Sequence, residues 1–364
     1  MNVLITGGAG FIGSHLADRL IDAGCDVTLL DNLDPQVHGG RRPAYLNSKA
    51  RLVVGDVRRP EPLRRQIRRA GAIFHLAASV GVGQSQYDIR RYVENNVGGT
   101  AHLLDLLATT RHRVRKLLVA GSMSAYGEGA YRCARHGRVR PAIRAKKPRR
   151  WDPPCPDCGG PIRPVPTRED DRLICTSVYA VTKLAQEELV LNFGRAYDLP
   201  AVALRFFNVY GPRQSLSNPY TGVAAIFISR VKNRRPPVIY EDGEQTRDFI
   251  HARDVAECCR RAMERAEHET LNVATGAATS VRALAERIIA LDGAALEPKI
   301  LRAFRRGDVR HCVGDATRAR RRLGWSPRIP LDDGLCELME WSREERAVDR
   351  FDRAQRELTR RGLA

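Results

Sequence analysis

The stretch Val3-Leu4-Ile5-Thr6-Gly7-Gly8-Ala9-Gly10-Phe11-Ile12-Gly13 decides the fold. Its first three residues read as a short buried strand and its glycines as a turn. Ser14 to Ala23 then has helical spacing through Leu16, Leu20 and Ile21. Gly24 marks the end of that helix, and Val27-Thr28-Leu29-Leu30 is a second strand closed by Asp31. Further short apolar runs follow at 52–54, 72–76, 116–120 and 201–204, with helix-like stretches between them. Strand alternating with helix implies a parallel sheet covered on both faces, so the expected class is α/β, a doubly wound Rossmann sheet.

The 364 residues carry 61 Lys+Arg, only seven of them Lys, against 42 Asp+Glu, a formal net charge of +19. Such a balance raises the question of a nucleic acid. A polyanion footprint should gather on one element with aromatic residues between the charges. Here the arginines are scattered as doublets, such as Arg64-Arg65, Arg260-Arg261 and Arg320-Arg321-Arg322, without interleaved aromatics. A solvated basic surface is the reading, with no nucleic-acid partner; a nucleic-acid binder on the same scaffold is the alternative from another class. No apolar run nears the roughly 18 residues of a membrane span. The first residues lack a basic leader followed by an apolar stretch, so a cytoplasmic location and no membrane partner are expected.

Gly7-x-x-Gly10-x-x-Gly13 between strand and helix lets the chain turn tightly and lets a pyrophosphate approach the helix N-terminus unobstructed. Asp31 ends the second strand, where a carboxylate accepts both ribose hydroxyls and repels a 2′-phosphate. The expected cofactor is therefore NAD rather than NADP. Thr6 to Gly13 resembles the opening of the extended short-chain dehydrogenase/reductase family, the nucleotide-sugar epimerases and dehydratases. The resemblance covers residues 1–130 and 176–345. It includes Gly55-Asp56-Val57, His75-Leu76-Ala77-Ala78 and Asn95. It implies cofactor contacts at Gly7, Gly10, Phe11, Ile12, Gly13, Asp31, Asn32, Asp56, Val57, Ala77 and Asn95, with Tyr179 and Lys183 from the catalytic helix.

Tyr179-Ala-Val-Thr-Lys183 puts a phenol and an ammonium on one face of a helix. A lysine and the positive nicotinamide ring should both favour phenolate and lower the tyrosine's pKa toward the working range. Ser122, in Gly121-Ser-Met-Ser-Ala-Tyr-Gly127, follows an apolar strand and would leave the sheet at its carboxyl edge. The resemblance makes Ser122, Tyr179 and Lys183 the catalytic residues, with Ser122 and Ser124 touching the sugar. Dehydratases of the family carry an adjacent Asp-Glu pair in this loop; here Met123-Ser124 stands in its place. A nucleotide-sugar 4-epimerase working through a transient ketose is the expected activity, with a 4-ketoreductase as the alternative.

Beyond residue 205 the texture turns to Pro- and Gly-rich loops with short elements. The expected organisation is a cofactor domain over 1–205, a substrate lobe over 206–345 with some chain crossing back, and a charged tail over 346–364, an exposed helix or frayed segment. The resemblance implies substrate contacts at Asn208 in Arg205-Phe-Phe-Asn-Val-Tyr-Gly-Pro212, at Arg247 in Arg247-Asp-Phe-Ile-His251, and at Arg305 in Arg305-Arg-Gly-Asp308. Arg is suited to bidentate contact with a diphosphate. Gly211 to Gly222 resembles a narrower branch of the family, implying conversion of dTDP-L-rhamnose to dTDP-6-deoxy-L-talose, with UDP and GDP carriers as alternatives. A homodimer through helices like 96–108 and 178–195 is implied as well.

The segment 130–176 falls outside the resemblance. It holds Cys133-x-x-His136 and, 19 residues after that histidine, Cys155-Pro-Asp-Cys158-Gly159-Gly160. Two tight turns supplying three thiolates and an imidazole suit a tetrahedral, closed and hence structural zinc site in a zinc-ribbon-like insertion. Cys175 could replace His136 as the fourth ligand.

Overall fold

The computed structural model describes residues 1–144, 150–305 and 307–363. Seven strands form the central sheet: β1 Asn2–Thr6, β2 Asp26–Asp31, β3 Arg51–Val54, β4 Ala72–His75, β5 Leu117–Ser122, β6 Ala201–Phe206 and β7 Glu269–Val273. Their spatial order is β7-β6-β5-β4-β1-β2-β3, and every pairing is parallel. The order reverses between β1 and β4, which opens a crevice at the carboxyl ends of those two strands. The helices that matter below are α1 Phe11–Asp22, α2 Gly99–Thr109, α3 Val178–Ala196, α4 Val223–Lys232, α5 Ala252–Arg265, α6 Leu331–Glu344 and α7 Phe351–Arg360.

Period-two alternation in β1 explains the two-faced core. Val3 and Ile5 join the apolar cluster beneath α1 and α5, while Leu4 points to the opposite face beneath α2 and α3. Burying each such side chain contributes roughly 1.5–3 kcal/mol. The second lobe has its own core, in which Phe227 and Ile228 of α4 meet Leu284 and Ile288 and then Leu335 and Leu338 of α6. α5 and β7 come from beyond residue 250 and complete the sheet and its helical cover.

The insertion folds as three short antiparallel strands, Gly137–Val139 beside Ala130–Cys133 beside Ile162–Val165. Glu128 clamps it to the lobe by accepting from the backbone N–H of Arg310 at 2.9 Å, from that of His311 at 2.8 Å and from the Tyr131 hydroxyl at 2.7 Å. The tail departs from the frayed or exposed segment expected of it. Ala354 and Leu358 of α7 are buried, and Asp349 and Asp352 pair with Arg230 at 3.2 and 2.9 Å. Its apolar positions are few but fall on one helix face, which the charge density hides in the sequence.

Candidate active site

A cavity of about 820 Å³ opens at the crevice between β1 and β4 and extends into the second lobe. Its wall includes Gly7, Gly10, Phe11, Ile12, Gly13, Asp31, Asn32, Asp56, Val57, Ala77 and Asn95, so every side chain named for the cofactor meets in one place. The glycines are required by space. Gly7 has φ +68°, and a Cβ there would lie 2.8 Å from the Ala77 backbone. A Cβ on Gly13 would lie 2.5 Å from the Gly7 carbonyl oxygen. Gly10 caps α1 without a side-chain hydrogen bond, which leaves first-turn N–H groups directed at the cavity for an anion.

Asp31 is held at the end of β2 by the N–H groups of Ala9, at 3.0 Å, and Leu33, at 2.9 Å. Arg58 hydrogen-bonds Asp56 and holds its carboxyl down to about 2. Asn95 Oδ1 and, at the far end, Asn208 Oδ1 are buried without a partner among the described residues. Both asparagines line the cavity, as unmade acceptors would if a ligand completed them. A glycine cradle, open helix amides and a fixed carboxylate together fit a dinucleotide.

Ser122 ends β5, and Ser177 caps α3 by accepting from the Ala180 N–H at 3.1 Å, which sets Tyr179 and Lys183 in the first turns facing the cavity. Ser122 Oγ accepts from Ser124 Oγ at 2.9 Å, and the Ser122 hydroxyl favours the ionised form of Tyr179. Lys183 is 3% exposed and donates to Gln186 Oε1 at 2.7 Å. The electrostatics correct one expectation. Burial raises the Tyr179 pKa above its usual value, with the Ser122 bond pulling the other way. Burial also pushes Lys183 down to about 7, opposed by Glu187. Phenol and ammonium are desolvated together, and burial favours the neutral form of each.

The substrate end is mixed. Ser124 and Asn208 line the cavity, but Arg247 and Arg305 do not. The Arg247 guanidinium donates to the carbonyls of Thr246 at 2.8 Å, Arg310 at 3.2 Å and Val309 at 2.5 Å. Arg305 is paired with Asp308 at 2.7 Å and lies over the Tyr240 ring. Both therefore brace the lobe here instead of presenting their charge to the cavity. Arg213, Tyr220, Trp341 and Arg346 line it without having been singled out. Arg213 and Tyr220 fall inside the Gly211–Gly222 stretch, whose resemblance named no individual contact, whereas Trp341 and Arg346 lie in no motif that could have marked them.

Apart from this cavity, Cys133, His136, Cys155 and Cys158 bring one ligand atom each to within 4.8 Å of all the others. Cys133 Sγ lies 3.7 Å from His136 Nδ1 and 3.8 Å from Cys158 Sγ, and Cys155 Sγ lies 3.5 Å from the same Nδ1. Cys175 is elsewhere, with its thiol against the Ala125 carbonyl at 3.8 Å, so the fourth member of the cluster is His136.

With this geometry established, the chain was compared with known proteins. Residues 3–142 match the NAD dependent epimerase/dehydratase family, and residues 158–338 match the GDP-mannose 4,6 dehydratase family. The dTDP-L-rhamnose 4-epimerase of Burkholderia thailandensis is 38% identical over 94% of this chain and 95% of its own. The UDP-glucose 4-epimerase of Thermotoga maritima, solved with UDP-glucose, superposes with a TM-score of 0.78 at 31% identity, over 94% of this chain and 99% of that one. The UDP-glucose 4-epimerase of Thermus thermophilus, solved with NAD, gives 0.75 at 30% identity, over 95% and 100%.

Proposed function

We propose a reaction from one premise: the chain belongs to the NAD-dependent epimerase/dehydratase family, whose members act on nucleotide sugars. The reaction is inversion of C4 of a nucleotide-linked sugar through a transient 4-keto form, with dTDP-L-rhamnose and dTDP-6-deoxy-L-talose as the pair interconverted. One observation carries it: Ser122, Tyr179 and Lys183 share a cavity wall on which Ser122 is followed by Met123 and Ser124, not by carboxylates. Elimination of water would need an acid and a base there. Glu128, the next carboxylate along the chain, is spent on Arg310, His311 and Tyr131 and does not line the cavity. The dehydratase-family match begins at residue 158, beyond this loop.

In the proposed reaction the Tyr179 oxygen takes the proton of the sugar hydroxyl, and Ser122 holds that oxygen in line. Bound NAD supplies a reversible hydride acceptor and a positive ring that favours phenolate. Lys183 steadies the cofactor ribose and the phenolate. Closing the site keeps the ketose from water while the sugar turns, and return of the hydride to its other face leaves the cofactor unchanged overall. The similarity to the Burkholderia enzyme supports the choice of sugar. Incubation with a panel of nucleotide sugars tests it. Conversion of dTDP-L-rhamnose without net cofactor use is expected; turnover of another sugar alone would overturn the choice, and steady consumption of NADH would mark a ketoreductase.

The same reading gives the insertion a structural zinc ion held by Cys133, His136, Cys155 and Cys158. Zinc with bonds of about 2.3 Å to sulfur and about 2.0–2.1 Å to nitrogen spaces tetrahedral ligands by roughly 3.5–3.8 Å. The observed 3.5, 3.7 and 3.8 Å separations support it. Elemental analysis should return one zinc per chain. A cytoplasmic homodimer completes the proposal, supported by the apolar exposure of Val93, Val181 and Leu189 on neighbouring helices. None of the described helices is long and apolar enough to cross a membrane.

A further inference from the structure

Behind Lys183, away from the cavity wall, runs a hydrogen-bond chain that the reaction above does not use. Its members Gln186, Thr100, His75 and Thr6 are each 0% exposed, and none lines the cavity. Its polarity follows from donor capacity. Lys183 can only donate while charged, so Gln186 Oε1 accepts at 2.7 Å and the Gln186 amide nitrogen must face away. That nitrogen donates to Thr100 Oγ1 at 2.8 Å. The single hydroxyl hydrogen of Thr100 goes to the Asn96 carbonyl at 2.6 Å. His75 Nε2 lies 2.8 Å from the Thr100 hydroxyl oxygen and 3.3 Å from the Gln186 amide nitrogen. The other ring nitrogen of His75, Nδ1, is hydrogen-bonded to Thr6 Oγ1 at 2.8 Å. Thr6 Oγ1 in turn accepts from the Ala77 N–H at 3.4 Å.

We infer that Gln186 is a positioning residue for Lys183: its amide fixes the ammonium at the cavity wall and ties it, through Thr100 and His75, to the Thr6 and Ala77 segments that border the cofactor cradle. The inference rests on the roles proposed for Tyr179 and Lys183. A fully buried amide is costly unless both of its ends are bonded, and here both are. The long lysine stem has many rotamers, and this one acceptor selects among them. Burial and the nearby Lys183 hold His75 neutral, its pKa down to about 3, so no second cation competes with the ammonium in this chain.

The titratable groups around Lys183 are few. Tyr179 and Glu187 share its helix, and His75 faces it from β4. Glu187 is already paired with Arg205 at 2.6 Å and accepts from Thr270 at 3.1 Å. Ser122 of β5 and Asn95, on the turn before α2, are neutral. Gln186 is thus the acceptor bonded directly to the ammonium, and its replacement should be read in the charge of Lys183.

Gln186→Leu and Gln186→Glu make opposite demands. NAD⁺ affinity would be measured by calorimetry on cofactor-stripped protein from pH 6 to 9.5 without sugar, followed by kcat and KM over the same range. Without an acceptor for the charged form, Gln186→Leu should lose NAD⁺ affinity and kcat at a pH lower by about one unit, with kcat reduced roughly tenfold and the sugar KM little changed. A carboxylate at the same place favours the ammonium, so Gln186→Glu should move that alkaline limit upward. If Gln186→Leu does not fold, Gln186→Met keeps the shape without the acceptor. Limits that coincide with wild type, or move the same way in both variants, would overturn the inference and leave Gln186 a packing residue. A wild-type protein that turned over no nucleotide sugar would instead sink the proposed reaction, while the NAD⁺ titrations would still decide the role of Gln186.

Discussion

The glycine turn at 7–13 and the cysteine turn at 155–160 are both tight reversals that aim polar atoms at one point, yet they stand on unlike supports. The first sits between β1 and α1, flanked by Val3, Leu4, Ile5, Leu16 and Leu20, all at most 2% exposed. Its glycines press against backbone, and its shape is set before any ligand arrives. The second sits in a cluster whose buried members are Tyr131, Cys133, Val139 and Cys155, two of them ligand candidates. A Cβ added at Gly159 would meet nothing within 4 Å. A turn packed on both sides of a sheet holds its form from apolar burial. A turn with so small a core would draw its stability from the proposed zinc ion.

The contrast can be attacked from the catalytic side first, where the largest effect is expected. Tyr179→Phe should lower turnover by roughly 10²–10⁴-fold, the worth of one acid–base group, while bound NAD and the unfolding midpoint stay near wild type. A parallel loss of stability would mean that the phenol also holds the fold. Next, Gly13→Val places a branched side chain against the Gly7 carbonyl. It should weaken NAD⁺ binding by roughly 10²-fold or more and cost about 1–3 kcal/mol of stability, read by calorimetry and by denaturation. Near-normal NAD⁺ affinity would show that the turn is less rigid than its packing says.

The insertion should answer differently. Removing the metal with a chelator, or substituting Cys155→Ser, should abolish hydrogen-exchange protection over residues 130–165 while β1 to β5 remain protected. Simultaneous melting of both regions would break the comparison, and unchanged protection in metal-free protein would remove the zinc. The smallest effect concerns acid. Burial pushes His75, His15 and His251 down to about 3, 4 and 3. Each stays neutral in the folded chain but takes a proton in the unfolded one below about pH 6.5. Stability should be full above that pH and fall toward pH 4, by up to about 1.4 kcal/mol per pH unit for each histidine. All three lie in the body of the protein and none in the insertion. Urea midpoints at pH 7.5 and 5, measured on Cys155→Ser to exclude metal loss, should therefore differ; equal midpoints would mean that these imidazoles are not held neutral.

Much of the site was legible because its determinants are local. The spacing of Gly7, Gly10 and Gly13, the pair Tyr179 and Lys183, and the two cysteine turns each lie within a few residues, where backbone geometry alone dictates what can meet. The arginines show the opposite. Arg247 and Arg305 sit in recognisable motifs, yet their guanidinium groups are taken up by carbonyls and by Asp308. Arg247 finds two of its acceptors some sixty residues away, at Val309 and Arg310, and Arg305 turns to an acid three residues on instead of to the cavity. Glu128 is similar: next to the Ser122 loop in the chain, it serves residues 310 and 311.

By itself, then, the sequence determined the parallel sheet, the glycine turn, the pairing of Tyr179 with Lys183 on one helix face and the two halves of the Cys/His cluster, since each follows from periodicity or from close spacing. Only the tertiary structure decided that His136 and not Cys175 completes the cluster, that two motif arginines brace the lobe, that the tail docks through Ala354 and Leu358, and that Gln186 stands behind Lys183. Those outcomes depend on what each side chain meets once the chain is packed, and burial leaves no periodic trace at a single residue.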